Sequence, residues 1–283
     1  MIYTIKNSAL EISVDDTGAQ LVGVNAYGKE RLWQNETGEW AGHAPILFPV
    51  CGNTSMVVDG KRYPMPRHGL VRREKFALTE CGEDCLTFSF SSNEETKRGY
   101  PFGFRFSQTY RIVGDELHIE SVIRNLSDRP MPFSLGGHES FALSEEIGNY
   151  RLVFEREEEF VHHPHNDEGL LTGEQKYLGK GKTFWLDPAF FTDDKTVILS
   201  GVQSDRVLLC DKAQNPSAEI SFGGFDNLLL WRPGAARMIC IEPWLVLPDT
   251  DGKIAGEFGK REGVATVAAG EERRIVRTIK YYR

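Results

Sequence analysis

The chain has 283 residues, a formal net charge of -8 and a sequence pI near 5.5. This acidic balance argues against nucleic acid or an anionic membrane as a partner. No stretch approaches the length of a membrane span. Five scattered cysteines favour reduced thiols over a disulfide framework. We therefore expect a soluble cytoplasmic protein, monomeric or homodimeric, whose partner is neutral or cationic.

Apolar and polar residues alternate along most of the chain, beginning with residues 2–5. The alternation is clearest over 104–112 and 117–123, and the Gly114-Asp115 turn between these runs predicts a β-hairpin. No segment sustains a helical apolar stripe over twelve residues. We predict an all-β protein with two large sheets packed face to face, forming one domain over 1–283. Further strands are predicted at 86–90, 197–199, 207–209, 218–222, 228–231 and 238–241.

Three polar residues at turns or strand ends are candidates for acid/base chemistry. His68 lies on a Pro- and Gly-rich turn, and His138 follows a Gly-Gly pair. Glu242 ends a buried apolar run, where a carboxylate is costly unless it is hydrogen-bonded or used. Each residue also has a structural interpretation. The histidines could be incidental loop residues, and Glu242 could pair with Arg232 or Arg237.

The segment His162-His163-Pro164-His165 is the strongest candidate for a metal site. Its proline breaks regular ligand spacing, and no carboxylate or cysteine lies in register, so a surface loop is favoured. The chain also has neither a phosphate-binding glycine-rich loop nor a glycine-framed nucleophilic serine. We therefore predict no metal and no cofactor. Cys240, inside an apolar run, is expected to be a small buried hydrophobe.

Four motifs occur in a fixed order, namely APILFPVCG at 44–52, the His-Gly pair at 68–69, GGHESF at 136–141 and CIEPW at 240–244. Together they resemble the aldose 1-epimerase (galactose mutarotase) superfamily, most closely its bacterial mutarotase-related branch. The resemblance runs from about Gly18 to the C-terminus. It implies the large antiparallel β-sandwich of the galactose mutarotase-like supersandwich, with a sugar bound on its concave face.

The resemblance implies an isomerase that interconverts the α and β anomers of a hexose without a cofactor. It makes Glu242 the general base, His138 the general acid and His68 the histidine that assists at the ring oxygen. The reaction then starts from an ionised carboxylate and a protonated imidazole. Because a nearby carboxylate favours the imidazolium, we expect Glu242 and His138 to form an ion pair.

The resemblance also implies residues that hold the sugar. Asp194, or its neighbour Asp193, matches a hydroxyl-binding aspartate, and Asn53 stands where many relatives carry an arginine. Trp231 is a candidate for stacking on the pyranose, although core packing would explain an aromatic side chain equally well. The same choice applies to four other aromatic residues, Trp33, Trp40, Phe141 and Trp244.

Three arginines support a second enzymatic hypothesis. Arg67, Arg72 and Arg73 lie around the His-Gly motif, as they do in relatives that epimerise hexose 6-phosphates, and a guanidinium suits a phosphate. Pairing with Glu74 or Asp84 at the surface is the structural alternative. A non-catalytic sugar-binding protein is a third possibility. Glycoside hydrolysis would require a second carboxylate beside Glu242.

Overall fold

The computed structural model describes residues 1–194 and 196–283, and the side chains of Asp193 and Asp194 lie outside this description. The chain forms strands almost throughout, with one short α-helix at Thr96–Gly99, so the all-β prediction is confirmed. The 3-10 turns are Val71–Arg73, Ile147–Asn149, Pro188–Asp194 and Phe258–Lys260. In the described residues, no helix is long and apolar enough to cross a membrane.

The strands are numbered in chain order. The first ten are β1 Ile2–Lys6, β2 Leu10–Asp15, β3 Gln20–Ala26, β4 Lys29–Glu30, β5 Met56–Val58, β6 Lys61–Tyr63, β7 Ala77–Cys81, β8 Cys85–Ser91, β9 Phe104–Val113 and β10 Glu116–Asn125. The remaining ones are β11 Met131–Phe133, β12 Glu139–Ala142, β13 Tyr150–His162, β14 Lys176–Trp185, β15 Val197–Ser200, β16 Arg206–Asp211, β17 Pro216–Ser221, β18 Asn227–Trp231, β19 Met238–Trp244, β20 Ala265–Val267 and β21 Glu272–Tyr281.

The predicted hairpin is confirmed as β9 and β10, which pair antiparallel from Val113 opposite Glu116 to Phe104 opposite Asn125. The other strands predicted from alternation also form. The least expected is β19, which continues past its apolar run to Trp244 and so contains Glu242 within the strand. Pro243 has no backbone N–H, so it can continue a strand only where no hydrogen bond from its own nitrogen is needed. It meets this condition opposite Leu228 of β18, and the strand therefore extends past it.

Thirteen strands form one antiparallel sheet in the order β12-β19-β18-β15-β13-β16-β17-β21-β10-β9-β8-β7, with β14 paired to β13. Strands β12 and β21 are seven places apart, which would be roughly 34 Å in a flat sheet. Yet Glu139 of β12 and Arg277 of β21 form an ion pair of 2.7 Å. The sheet therefore curls until its edge strand β12 lies against the interior strand β21. This gives the expected sandwich, although hydrogen bonding continues from one layer into the other.

Aromatic side chains fill the space between the layers. Phe48 is fully buried, and its ring lies within 6 Å of the rings of Phe104, Phe106, Tyr100 and Phe133. Such edge-on and tilted pairs add to the free energy gained from burying the rings. Because Phe48 comes from one of the four motifs, this cluster connects the core of the sandwich to the loops at its concave face.

Truncating one member of this cluster should be costly. We expect Phe106→Ala to lower the free energy of unfolding by about 3–5 kcal/mol, because the site is fully buried and a cavity remains. Val113→Ala, at the exposed end of the same strand, is the control and should change it by less than about 0.5 kcal/mol. Urea denaturation measures both. Similar values for the two variants would show that this cluster does not form the core.

Candidate active site

Backbone hydrogen bonds bring the four motifs together. Leu47 and Gly136 exchange two hydrogen bonds of 3.0 Å, which joins the first motif to the third. Gly137 donates to the carbonyl of Pro243 at 3.1 Å, which joins the third to the fourth. A Cβ on Gly137 would lie 2.2 Å from Arg277 Nη1, so only glycine fits between this backbone and the buried ion pair.

His68 lies on a left-handed turn, with a φ of +66° followed by +78° at Gly69. A Cβ at Gly69 would lie 2.1 Å from the carbonyl oxygen of Phe48. The N–H of Gly52 donates to His68 Nδ1 at 3.2 Å, and the Gly52 carbonyl accepts from the His68 N–H at 3.0 Å. Burial lowers the pKa of His68 well below its usual value, and the neighbouring cations lower it further. His68 is therefore a neutral imidazole.

Two N–H donors compete for the ring of His68. Arg67 Nε lies 3.2 Å from Nε2, whereas the Gly52 N–H faces Nδ1. A neutral imidazole accepts at only one nitrogen. The amide of Gly52 is fixed by the turn and the guanidinium is not, so we assign the acceptor to Nδ1 and the proton to Nε2. This assignment leaves the Arg67 side chain able to turn toward another acceptor.

His138 and Glu242 are both buried and face each other, with Nδ1 of the imidazole 3.5 Å from Oε1 of the carboxyl. This is too long for a hydrogen bond, and Nδ1 has no other partner. The second oxygen of Glu242 accepts from Trp244 Nε1 at 3.2 Å. Glu242 pairs with neither candidate arginine, since Arg237 bonds to Glu146 and Arg232 donates to the carbonyl of Ala236. The pairing of Glu242 with Arg232 or Arg237 is thus wrong.

Burial disfavours the expected ion pair between His138 and Glu242. Burial, together with the smaller effects of Arg67 and Arg72, lowers the pKa of His138 to about 3. Burial raises the pKa of Glu242 well above its usual value, against the smaller opposing effects of Arg67 and Trp244. Both shifts favour a neutral imidazole beside a protonated carboxyl. The neutral pair and the ion pair contain the same number of protons. Moving one proton from the carboxyl of Glu242 to the imidazole of His138 therefore produces the expected ion pair.

Three of the five aromatic candidates line the site. Trp40 is stacked on His138, with ring centroids 5.1 Å apart and an interplanar angle of 23°. Trp231 meets the same imidazole edge-on at 5.7 Å, and Trp244 meets His68 at 5.5 Å. The other two candidates, Trp33 and Phe141, are buried in hydrophobic clusters. Trp231 and Trp40 thus both contact the imidazole of His138, and Trp40 covers its face.

The remaining predicted residues differ in their placement. Asn53 Nδ2 donates to the backbone carbonyl of Glu168, so its amide is used by the loop that follows β13. Gly169 of the same loop lies against both Asn53 and Arg67. The side chains of Asp194 and Asp193 lie outside the described residues, and the predicted hydroxyl-binding aspartate stays a prediction.

Arg67 and Arg72 lie close enough to the catalytic candidates to lower the pKa of His138 and of His68. Among the ion pairs of residues 1–192 and 196–283, neither guanidinium has a carboxylate partner. In particular Asp84 pairs with Arg111. The proposed surface pairing therefore does not explain Arg72, which is half-buried, whereas Arg67 and Arg73 are exposed.

The three histidines of the 162–165 segment each have a separate partner. His162 Nδ1 accepts from the N–H of Ile198, and His163 Nε2 lies 2.6 Å from Ser200 Oγ. His165 Nε2 accepts from the Thr196 N–H at 2.9 Å. The rings thus fasten the end of β13 to β15. The predicted surface loop is wrong for His162, which is the last residue of β13, because this pairing extends the strand.

Comparison with known proteins identifies the family of this chain. A family model described as aldose 1-epimerase matches residues 1–260. The chain belongs to the aldose 1-epimerase family. The plasmid and chromosomal LacX proteins of Lactococcus lactis subsp. lactis are each 30% identical to it over 262 residues, which is 86% of this chain and 87% of each relative.

Solved structures show that the fold is shared. A galactose mutarotase related enzyme from Lactobacillus acidophilus superposes with a TM-score of 0.90 at 25% identity, covering 100% of this chain and 98% of that one. A galactose mutarotase-like protein from Lactobacillus casei ATCC 334 superposes with a TM-score of 0.93 at 24% identity, covering both chains completely. The galactose mutarotase-like sandwich expected from the motifs is therefore confirmed.

Sequence reasoning missed two features of this aldose 1-epimerase family member. Cys240 is buried in a hydrophobic cluster, as predicted, but its thiol also lies in a cluster with His138 and Glu242 that was not foreseen. The signal that could have revealed this cluster is the alternation along β19, because the side chains of residues 240 and 242 point to the same side of the strand. The buried pair of Glu139 and Arg277 was also missed, because residues 138 positions apart in the chain leave no local pattern.

The pair of Glu139 and Arg277 should be essential to stability. Both side chains are about 95% buried, so removing one partner leaves an uncompensated charge. We expect Arg277→Met to lower the free energy of unfolding by about 3–5 kcal/mol, whereas adding Glu139→Leu should restore part of the loss. Denaturant unfolding of the single and double variants measures this coupling.

The exposed pair of Arg274 and Glu120 joins the same strand, β21, to β10 and is the matched control. Arg274→Met should change the free energy of unfolding by less than about 1 kcal/mol. If Arg277→Met is tolerated as well as this control, the buried pair does not hold β12 and β21 together.

Proposed function

We propose that this protein is an aldose 1-epimerase that interconverts the α and β anomers of a hexose. The observation that carries the proposal is the buried contact of 3.5 Å between His138 and Glu242, which together hold one transferable proton. Anomer exchange needs a base and an acid at one carbon centre and no net change of protons or electrons. The family membership supports this class of reaction.

The reaction begins when Glu242 passes its proton to Nδ1 of His138 as sugar hydroxyls enter and solvate the carboxylate. Glu242 then removes the proton of the anomeric hydroxyl, while the Nε2 proton of His138 goes to the ring oxygen. The bond from C1 to the ring oxygen breaks and the exocyclic oxygen becomes a carbonyl. Rotation about C1–C2 and the reverse transfers close the ring on the other face. Each group contributes about 10²–10⁴-fold to the rate.

The neighbouring residues hold this geometry and the sugar. With its proton on Nε2, His68 is a hydrogen-bond donor for the ring oxygen or an adjacent hydroxyl. Trp231 offers an aromatic surface to the C–H face of the sugar. Asp194 is retained as the candidate hydroxyl-binding residue, with Asp193 as its alternative. We propose that residues 1–283 act as one carbohydrate-active domain. We place this domain in the reducing cytoplasm, because the five cysteines are all free thiols.

Replacing the base tests the proposal. We expect Glu242→Gln to lower kcat for anomer exchange by at least about 10²-fold while sugar binding is retained. Magnetisation-transfer NMR on glucose and galactose measures exchange, and ligand-observed NMR measures binding. Glu116→Gln, on the half-exposed side of β10, is the control. Full activity in Glu242→Gln would place the base elsewhere, and a wild type that accelerates no aldose would make the protein a sugar-binding module.

The two arginines without carboxylate partners favour a second candidate, a hexose 6-phosphate as the substrate. Arg67 and Arg72 place two positive charges beside the catalytic pair. Arg72 is half-buried, and a half-buried guanidinium without a partner is costly unless an anion joins it. A phosphate would supply that anion and bind through charged hydrogen bonds.

Comparing glucose with glucose 6-phosphate decides between the substrates. If the phosphate is recognised, Arg72→Ala should lower kcat/KM for the phosphosugar by about 10–100-fold and leave that for glucose unchanged. Arg73→Ala removes an exposed cation next to it and should affect neither sugar. An equal loss for both sugars in Arg72→Ala would show that this arginine does not read a phosphate.

A further inference from the structure

A cysteine, a histidine and a carboxylate meet at the catalytic pair. Cys240, His138 and Glu242 each offer one ligand atom, and these three atoms lie within 4.8 Å of one another. All three residues are buried. Cys240 and Glu242 come from the same face of β19, and His138 directly precedes the neighbouring strand β12. The cluster is therefore built on paired strands, which hold its members at fixed separations.

One ligand atom of the cluster, a ring nitrogen of His138, has no hydrogen-bond partner. His138 Nδ1 is buried without a hydrogen-bond partner and points toward Glu242 Oε1 at 3.5 Å. Around a tetrahedral Zn²⁺, with bonds of about 2.0–2.3 Å, two ligand atoms lie roughly 3.3–3.7 Å apart. The imidazole and the carboxylate already have this separation, and the thiol needs only a small movement to complete a set of three.

We propose that Cys240, His138 and Glu242 form an inhibitory binding site for a thiophilic divalent cation such as Zn²⁺. The combination of sulfur, imidazole and carboxylate ligands suits Zn²⁺. Mg²⁺ and Ca²⁺ prefer oxygen ligands and should bind here only weakly. Three protein ligands leave a fourth position for water or a sugar hydroxyl. The inhibitory effect rests on the proposed function, because the metal would occupy the acid and the base together.

Charge compensation makes the site selective for cations that bind thiolates. The cation displaces one proton from Cys240 and one from Glu242, so the two anionic ligands balance its charge of +2. This balance is needed because Arg67 lies nearby and repels any uncompensated cation. Without the thiolate, one positive charge of the cation would remain uncompensated in a buried site. Cys240 therefore decides whether the metal binds.

Cobalt titration tests the site without relying on activity. Co²⁺ bound through a thiolate has a near-ultraviolet charge-transfer band, which we expect for the wild type at one equivalent. Cys240→Ser should remove the band and weaken Zn²⁺ binding, measured by competition, more than about tenfold. Cys81→Ser removes an exposed thiol and should change neither measurement. Glu242→Gln should weaken binding but keep the band.

The outcomes separate the metal site from the proposed function. A band that survives in Cys240→Ser, or a wild type without saturable Co²⁺ binding, overturns the site. Circular dichroism and Cys240→Ala as a second variant show whether a lost band reflects misfolding; if both variants fold and lack the band, the site stands. If Co²⁺ binds as expected but no aldose is epimerised, the metal site is supported and only the proposed function fails. If the enzyme is active, Zn²⁺ should inhibit it, and a chelator should reverse the inhibition.

Discussion

The buried ion pair of Glu139 and Arg277 is the interaction on which the site depends. It connects strands that are seven places apart in one sheet, and so closes the curl that makes the sandwich. Glu139 also follows His138 directly, and the guanidinium lies against Gly137. The pair therefore fixes the position of the general-acid candidate. A hydrophobic replacement could pack equally well, but it would lack the hydrogen bond from Arg277 Nη1 to Glu139 Oε2 that joins the two strands.

Burial of the pair also affects the charges in the site. Glu139 raises the pKa of Glu242, since two carboxylates in one dry region repel each other. Arg277 neutralises Glu139 at 2.7 Å and limits this repulsion. On the concave side, burial and Arg67 act together to keep His138 neutral. Burial and Glu139 thus both favour the protonated form of Glu242, which the proposed mechanism takes as its starting form.

The sequence predicts local features well and distant contacts poorly. Alternation with period two was sufficient for the β9–β10 hairpin and for most other strands, because it reflects one buried face. The motifs placed His68, His138 and Glu242 in one site. The protonation of the pair was missed, since it depends on desolvation and on two arginines brought close by the fold. The stacking of Trp40 on His138 was not foreseen either, because an aromatic residue in a loop has no preferred partner in the sequence.

The departure at Asn53 acquires a physical explanation from the loop around Glu168. The Asn53 amide donates to the Glu168 carbonyl, and Gly169 packs against both Asn53 and Arg67. An arginine at position 53 would have to displace this loop, and would add a third guanidinium near Arg67 and Arg72. Two cations without carboxylate partners already occupy this side of the site, so a third would increase their repulsion. The short amide and the pair of arginines are therefore parts of one arrangement.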